Sequence, residues 1–258
     1  MIKLDGINKS FGKEHVLKDI SFSVNEGEFI SIVGESGSGK STLLGIILGS
    51  VLSDGGAIYL NGKNVTGEEI SKREIGIVFQ QSALFPTMTV LNNVVYPLRK
   101  KGFSKKRSHE KAMDYLSMTG LTEHLYKKPY MLSGGQSHRV AIARMLAMEY
   151  PILLLDEPFS ALDPNIRTQL REEIHQIQRK LNITLVYVSH DIEEALYLSD
   201  KILILHRNEI QQYDSPSNTL INPINDYVES YIRKNLLNKL ELVNGLTYQY
   251  YQNLKKTE

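Results

Sequence analysis

The octapeptide Gly34-Glu35-Ser36-Gly37-Ser38-Gly39-Lys40-Ser41 constrains this chain more than any other stretch. It fits G-x-x-x-x-G-K-[ST], a loop whose backbone N–H groups wrap a polyphosphate. Its glycines let the backbone turn tightly and let phosphate oxygens approach with no Cβ in the way. Lys40 can reach β- and γ-phosphates as a point charge, and the Ser41 hydroxyl can ligate Mg²⁺. Glu28 to Val33 before the loop reads as a strand, and Thr42 to Leu48 after it reads as a helix. Strand, loop and helix together put the phosphates at a helix N-terminus, where the dipole favours anions. A chance Gly/Ser turn would lack both flanks. The pattern predicts binding of a nucleoside triphosphate, with Thr42 among the residues that hold it.

The rest of the chain is consistent with such a loop at the edge of a sheet. Val16 to Val24 has near period-two apolar spacing, and Ala57-Ile58-Tyr59-Leu60 followed by Asn61-Gly62 predicts a hairpin. Helical stretches follow, one from about Thr89 through Val95 and one from Ser104 to a stop near Gly120. Farther on, the apolar runs Ile152–Leu155 and Thr184–Val188 alternate with helical stretches Gln169–Leu181 and Ile192–Leu198. Continuous apolar runs separated by amphipathic helices predict buried parallel strands in an α/β sheet. The Arg99-Lys100-Lys101 and Lys105-Lys106-Arg107 cluster reads as a solvated surface between helices, with proximity to lipid headgroups as the alternative.

A second constellation is Ile152-Leu153-Leu154-Leu155-Asp156-Glu157. A buried strand here delivers two adjacent carboxylates at its C-terminal end, where ligands of open α/β sheets gather. Asp156 is placed to hold Mg²⁺, directly or through water, and Glu157 is the candidate general base for an attacking water. A strand ending in exposed charges would show the same pattern without the chemistry.

Composition excludes several classes. The formal charge of +1 gives no global reason to expect nucleic-acid binding. No apolar stretch approaches the length needed to span a bilayer, and the N-terminus lacks the apolar core of a signal peptide. With no cysteine there are no disulfides or thiolate metal sites. The expectation is a cytoplasmic chain, which fits a need for ATP.

Taken together, these motifs resemble the nucleotide-binding subunits of ATP-binding-cassette transporters, from Ile2 to about Ile232 and in the family's order. Leu132-Ser133-Gly134-Gly135-Gln136 looks like the family's signature sequence. Its chemistry is also readable directly: Ser-Gly-Gly opening a helix offers a hydroxyl, bare backbone N–H groups and a helix dipole to an anion. The resemblance implies that Ser133, Gly134, Gly135 and Gln136 act in trans, closing over the ATP held by a second copy of the chain. It further implies that Phe11 stacks on adenine, although a core Phe is the alternative. Gln80 would touch Mg²⁺ and the attacking water, Asp163 in Ser160-Ala161-Leu162-Asp163 would cross the dimer interface, and His190 would contact the γ-phosphate. Ser137-His138 departs from the family, where Gln or Arg is frequent; local effects on helix packing and no loss of activity are expected.

The fold implied is α/β, a P-loop NTPase (RecA-like) parallel-sheet core with an N-terminal antiparallel β subdomain and an inserted helical subdomain. Residues 1–232 would form the ATPase domain, with the insertion at about 82–150, and 233–258 a short tail. Within the family the chain looks like subunits of binding-protein-dependent importers of small polar or charged solutes, closest to the ferric-ion/polyamine and glycine-betaine/choline sets. The implied cofactors are ATP and Mg²⁺. The implied partners are a second ATPase copy, transmembrane permease subunits and, indirectly, an extracytoplasmic solute-binding protein, with no nucleic acid. Such a chain sits peripherally on the cytoplasmic face of the membrane. Leu84, Phe85 and Met88 resemble the groove that receives a permease helix, though core packing would claim at least one of them. A cassette driving an exporter is the competing expectation, because the hydrolytic machinery is shared. The tail is too small for the regulatory domains of the two closest sets; Leu236, Leu237, Leu240 and Val243 within it have the spacing of an amphipathic helix.

Overall fold

The computed structural model describes residues 2–160 and 162–236. Five strands, β3 (Phe29–Val33), β6 (Ile75–Val78), β7 (Ile152–Asp156), β8 (Thr184–Val188) and β9 (Lys201–His206), run parallel in the order β9-β3-β8-β7-β6. β10 (Glu209–Asp214) caps the β9 edge in antiparallel sense. A second, antiparallel sheet is formed by β1 (Ile2–Phe11), β2 (Glu14–Val24), β4 (Gly55–Leu60) and β5 (Lys63–Asn64).

The central strands are apolar throughout because both faces are covered. Along β7, Ile152 and Leu154 enter one core and Leu153 and Leu155 the other; along β8, Val186 and Val188 alternate with Leu185 and Tyr187. Side chains of successive strand residues point to opposite faces, so a strand between two layers needs no polar face. One core joins the sheet to α1 (Lys40–Leu48) and the antiparallel sheet, and the other joins it to α4 (Gly134–Ala147) and α5 (Pro164–Leu181). The turn between β4 and β5 is Asn61-Gly62, both at positive φ, as a two-residue hairpin with right-handed strand twist requires.

Between β6 and β7 the chain builds α2 (Val90–Lys100), α3 (Lys105–Met118) and α4 around a separate apolar core of Val90, Val94, Leu98, Ala112, Leu116 and Val140. Thr89 and Ser104 cap α2 and α3 through their hydroxyls, and Gly120 turns left-handed after α3. The helix expected to end near Val95 continues through Pro97, whose carbonyl still accepts from the Lys101 N–H at 2.9 Å. The basic cluster lies exposed around the connection of α2 to α3.

Helix α5 starts five residues before the expected Gln169, because Asp163 accepts from the N–H groups of Asn165 and Ile166 and Pro164 occupies the first turn. Strands β9 and β10 and helix α7 (Pro216–Ile221) were not read from the sequence. After α6 (Ile192–Leu198) and α7, helical residues 226–236 bring Val228, Tyr231 and Ile232 against Val33, Ile192 and Ile204. Leu236 packs on this cluster; Leu237, Leu240 and Val243 lie outside the described residues.

Arg73, buried beside α1, anchors the helix that carries the glycine loop. Its guanidinium donates to the carbonyls of Ile46 at 2.7 Å, Ile47 at 2.8 Å, Glu68 at 3.1 Å and Thr66 at 3.2 Å. Two of these are carbonyls in the last turn of α1, which have no acceptor role left within the helix. Arg73→Met, similar in length but without donors, is expected to lower folding stability by about 3 kcal/mol. Urea unfolding midpoints of the two chains measure the loss.

Candidate active site

Strand register brings the site together before any side chain is considered. Ile32 of β3 pairs with Val188 of β8, and Val188 pairs with Asp156 of β7. The glycine loop after Val33, the acidic pair at the end of β7 and Ser189-His190 after β8 therefore leave the sheet at one edge. Val78 pairs with Leu155, so Gln80 leaves at that edge too.

A cavity of about 390 Å³ opens there, lined by Val16, Ser36, Gly37, Gly39, Lys40, Ser41, Thr42, Glu157 and His190. Gly34, Gly37 and Gly39 hold positive φ, and a Cβ on Gly39 would lie 2.8 Å from the Val16 carbonyl oxygen. Glycine is required at that position for space as well as for conformation. Lys40 is 6% exposed, with its ammonium donating to the carbonyls of Gly34 at 2.9 Å and Glu35 at 2.8 Å. Burial lowers its pKa, and the carboxylates of Glu157 and Asp156 partly offset that. Among the described residues the buried Ser38 hydroxyl has no hydrogen-bond partner, an orphan that suits a loop receiving oxygen atoms.

Ser41 Oγ donates to Asp156 Oδ1 at 3.2 Å, joining the loop to the end of β7. Burial raises the Asp156 pKa; the Ser41 hydrogen bond and Lys40 oppose the rise, and Glu157 adds to it. Glu157 adopts φ +44°, an uncommon left-handed conformation for a residue with a Cβ, and its N–H donates to the Val188 carbonyl at 3.0 Å. The side chain reaches His190, with Oε2 3.2 Å from Nδ1. A carboxylate oriented by an imidazole, opposite a buried lysine in a glycine-lined cavity, can accept a proton from water beside a polyphosphate.

The remaining sequence-predicted residues are not in this cavity. Phe11, 53% exposed, stands at the tip of the β1–β2 hairpin with Lys9 Nζ 5.1 Å from its ring centroid, outside the cavity lining. Gln80 is exposed beyond β6. Asp163 caps α5. Ser133 caps α4 in a reciprocal box with Gln136: its hydroxyl accepts from the Gln136 N–H at 3.2 Å and Gln136 Oε1 accepts from the Ser133 N–H at 3.0 Å. Ser133 and Gly134 are exposed, whereas Gly135 is buried, and a Cβ there would lie 2.7 Å from Ile166 Cγ2 of α5. The second glycine of this motif thus permits close helix packing, a role that anion chemistry alone did not suggest. Neither Ser133 nor Gly134 lines the cavity beside the start of α1.

Sequence reasoning missed Val16, which lines the cavity from β2 and looked like any alternating strand residue. It also missed a second hollow of about 330 Å³ on the other side of the loop, where Glu35, His190, Tyr227 and Tyr231 meet. His206 stacks on Tyr227 there with ring centroids 3.6 Å apart, and burial beside Glu35 pushes the Tyr227 hydroxyl up to about 12.

Comparison with known proteins places this geometry. A family model described as ABC transporter matches residues 17–160. The spermidine/putrescine import ATP-binding protein PotA of Photobacterium profundum is 43% identical over 232 residues, covering 90% of this chain and 62% of that protein. Its namesake in Thermotoga maritima is 39% identical over 242 residues, covering 94% of this chain and 66% of the relative. The chain therefore spans somewhat under two thirds of these relatives' length. Among solved structures, the ATP-binding cassette MJ0796 in a dimeric post-hydrolysis state bound to ADP and Pi superposes with a TM-score of 0.74 at 36% identity, covering 84% of this chain and 99% of that one. CbiO1 of Clostridium perfringens, part of the ABC transporter complex cbiONQ, superposes with a TM-score of 0.81 at 28% identity, covering 94% and 98%. With the family's domain matched over more than half its length and folded around the expected cavity, the chain belongs to the ABC transporter family.

Proposed function

We propose that this chain binds Mg·ATP between two copies of itself and hydrolyses it to drive import of a small cationic solute of the polyamine class. The carrying observation is Glu157, held left-handed at a strand end and paired with His190, facing Lys40 and Ser41 across one cavity. The names of the relatives, spermidine/putrescine import ATP-binding proteins, support the import direction and the solute class. Residues 1–232 act as the ATPase domain with residues 82–150 as its helical insertion, and 233–258 as a tail.

Lys40 neutralises charge developing on the transferred phosphoryl group, and the loop amides hold its oxygens. Glu157 accepts the proton of the attacking water as its oxygen bonds to the γ-phosphorus and the bond to the β-phosphate oxygen breaks. His190 holds Glu157 in place and contacts the γ-phosphate. Ser41, Asp156 and Gln80 would hold Mg²⁺, which when bound neutralises phosphate oxygens. Their chemistry fits that ion: all the donors are oxygens, with Ser41 Oγ and Asp156 Oδ1 already side by side at 3.2 Å. Phe11 stacks on the base.

Since Ser133 and Gly134 are exposed away from the cavity, they complete the site on a second copy, with Asp163 crossing the interface beside them. The dimeric state of the solved cassettes supports this arrangement. Among the described residues no helix is long and apolar enough to cross a membrane. The relatives' names as import ATP-binding proteins support permease subunits as partners, met at Phe85 and its neighbours on the cytoplasmic face. Phe85 is exposed and stacks edge-on with Tyr96 at 5.3 Å.

Three outcomes test this reading. Glu157→Gln, nearly isosteric and uncharged, is expected to retain ATP, form a longer-lived ATP-bound dimer by light scattering, and hydrolyse roughly two to four powers of ten more slowly. A monomeric Glu157→Gln chain in ATP, or one hydrolysing at the parent rate, would move the catalytic carboxylate elsewhere.

The pH dependence of nucleotide-free stability follows from Asp156. Its folded pKa is raised, so the fold favours the protonated form; that contribution is complete below the unfolded pKa and lost as pH rises through the folded value. Asp156→Asn removes the titration. Its stability advantage over the parent should therefore widen from pH 3 to pH 7, as urea midpoints without nucleotide or metal would show.

In liposomes with its permease subunits, ATP hydrolysis should rise when polyamine-loaded binding protein is added on the outside. Outward solute movement with no need for a binding protein would instead identify an exporter.

A further inference from the structure

We propose that His138 couples the two nucleotide sites of the dimer by tying the Gln80 backbone to the helix that begins with Ser133. The proposal rests on the reading above, in which Gln80 serves its own chain's nucleotide and Ser133 serves the partner's.

His138 is 5% exposed in the second turn of α4. Its Nδ1 lies 3.0 Å from the Gly134 carbonyl oxygen and its Nε2 lies 3.0 Å from the Gln80 carbonyl oxygen. One rigid ring thus spans from the first turn of α4 to the loop leaving β6. Both partners are carbonyl oxygens, which only accept; with its proton on Nε2 the ring donates to the Gln80 carbonyl, and that bond ties residue 138 of α4 to the loop. Farther along α4, Arg144 grips the same loop, donating to the carbonyls of Ala83 at 3.0 Å and Ser82 at 3.2 Å. Its ring-face contact with Phe85, at 5.7 Å, extends the hold to the proposed permease surface. Residues 80–85 are therefore fastened to α4 at two places, and displacement of α4 carries Gln80 with it.

The consequence lies in which nucleotide each end serves. The start of α4 meets the partner's γ-phosphate, and Gln80 meets the metal and water of its own. Engagement of ATP at one site thereby biases Gln80 at the other, and the coupling is reciprocal. Glutamine can keep the contact to the Gln80 carbonyl through its amide N–H₂, whereas leucine fills the space and keeps neither contact.

Hydrolysis by the full-length chain is measured against ATP concentration for the parent, His138→Leu and His138→Gln, with binding of a fluorescent ATP analogue and thermal melting alongside. The parent rate should rise sigmoidally, with a Hill coefficient approaching about 2 for two coupled sites. His138→Leu should bring that coefficient close to 1 and lower kcat about tenfold, with analogue affinity within about twofold, and His138→Gln should restore both. His138→Met replaces the leucine variant should that chain fail to fold. A leucine or methionine chain that keeps the parent coefficient and kcat overturns the proposal, as does a glutamine chain no better than leucine. Gln80→Ala separates the levels: if it hydrolyses at the parent rate, the role given to Gln80 falls and the coupling with it; if it is slow while His138→Leu is normal, only the coupling falls.

Discussion

Parallel pairing of β3, β8 and β7 is the constraint on which everything else rests. Because Ile32, Val188 and Asp156 stand in one row, three loops far apart in sequence emerge side by side. Parallel strands need long crossovers, and here those crossovers are the helices that bury both sheet faces. The same requirement that forces Leu, Ile and Val into the strands thus forces glycine, carboxylate and imidazole to gather at their ends. A slip of one residue in β7 would exchange its two buried faces and carry Asp156 out of reach of Ser41.

Electrostatics at that edge are arranged at some expense to folding. Lys40 is buried and satisfied by two carbonyls of its own loop, while burial raises the Asp156 pKa. Each is held less comfortably charged than in water. The left-handed Glu157 adds local backbone strain, retained because its N–H is fixed to Val188 on the neighbouring strand.

Helix α4 ties the rest of the molecule to this edge. Its first turn presents Ser133 and Gly134 outward, Gly135 lets it approach α5, and His138 and Arg144 hold the loop from Gln80 to Phe85. One helix thus touches α5, the loop leaving β6 and an aromatic surface patch.

The glycine loop, the acidic strand end, the helix opening after Ser133 and the α/β alternation were legible in the sequence, because each depends on local spacing: backbone freedom at glycine, apolar runs of strand length, caps such as Thr89, Ser104 and Ser133. The limits of α5 were misplaced because Asp163-Pro164 reads equally as a turn or a helix start until the helix packs. Val16 as a wall of the cavity, the contact of Gly135 with Ile166, the His206–Tyr227 stack beside the loop and the bridge from His138 to Gln80 were not legible. Each joins residues distant in the chain through non-periodic contact, and His138 shows this most plainly: as sequence it was a minor departure beside a motif. Local chemistry determined which residues could act on a nucleotide; only the packing of helices on the sheet decided which of them touch.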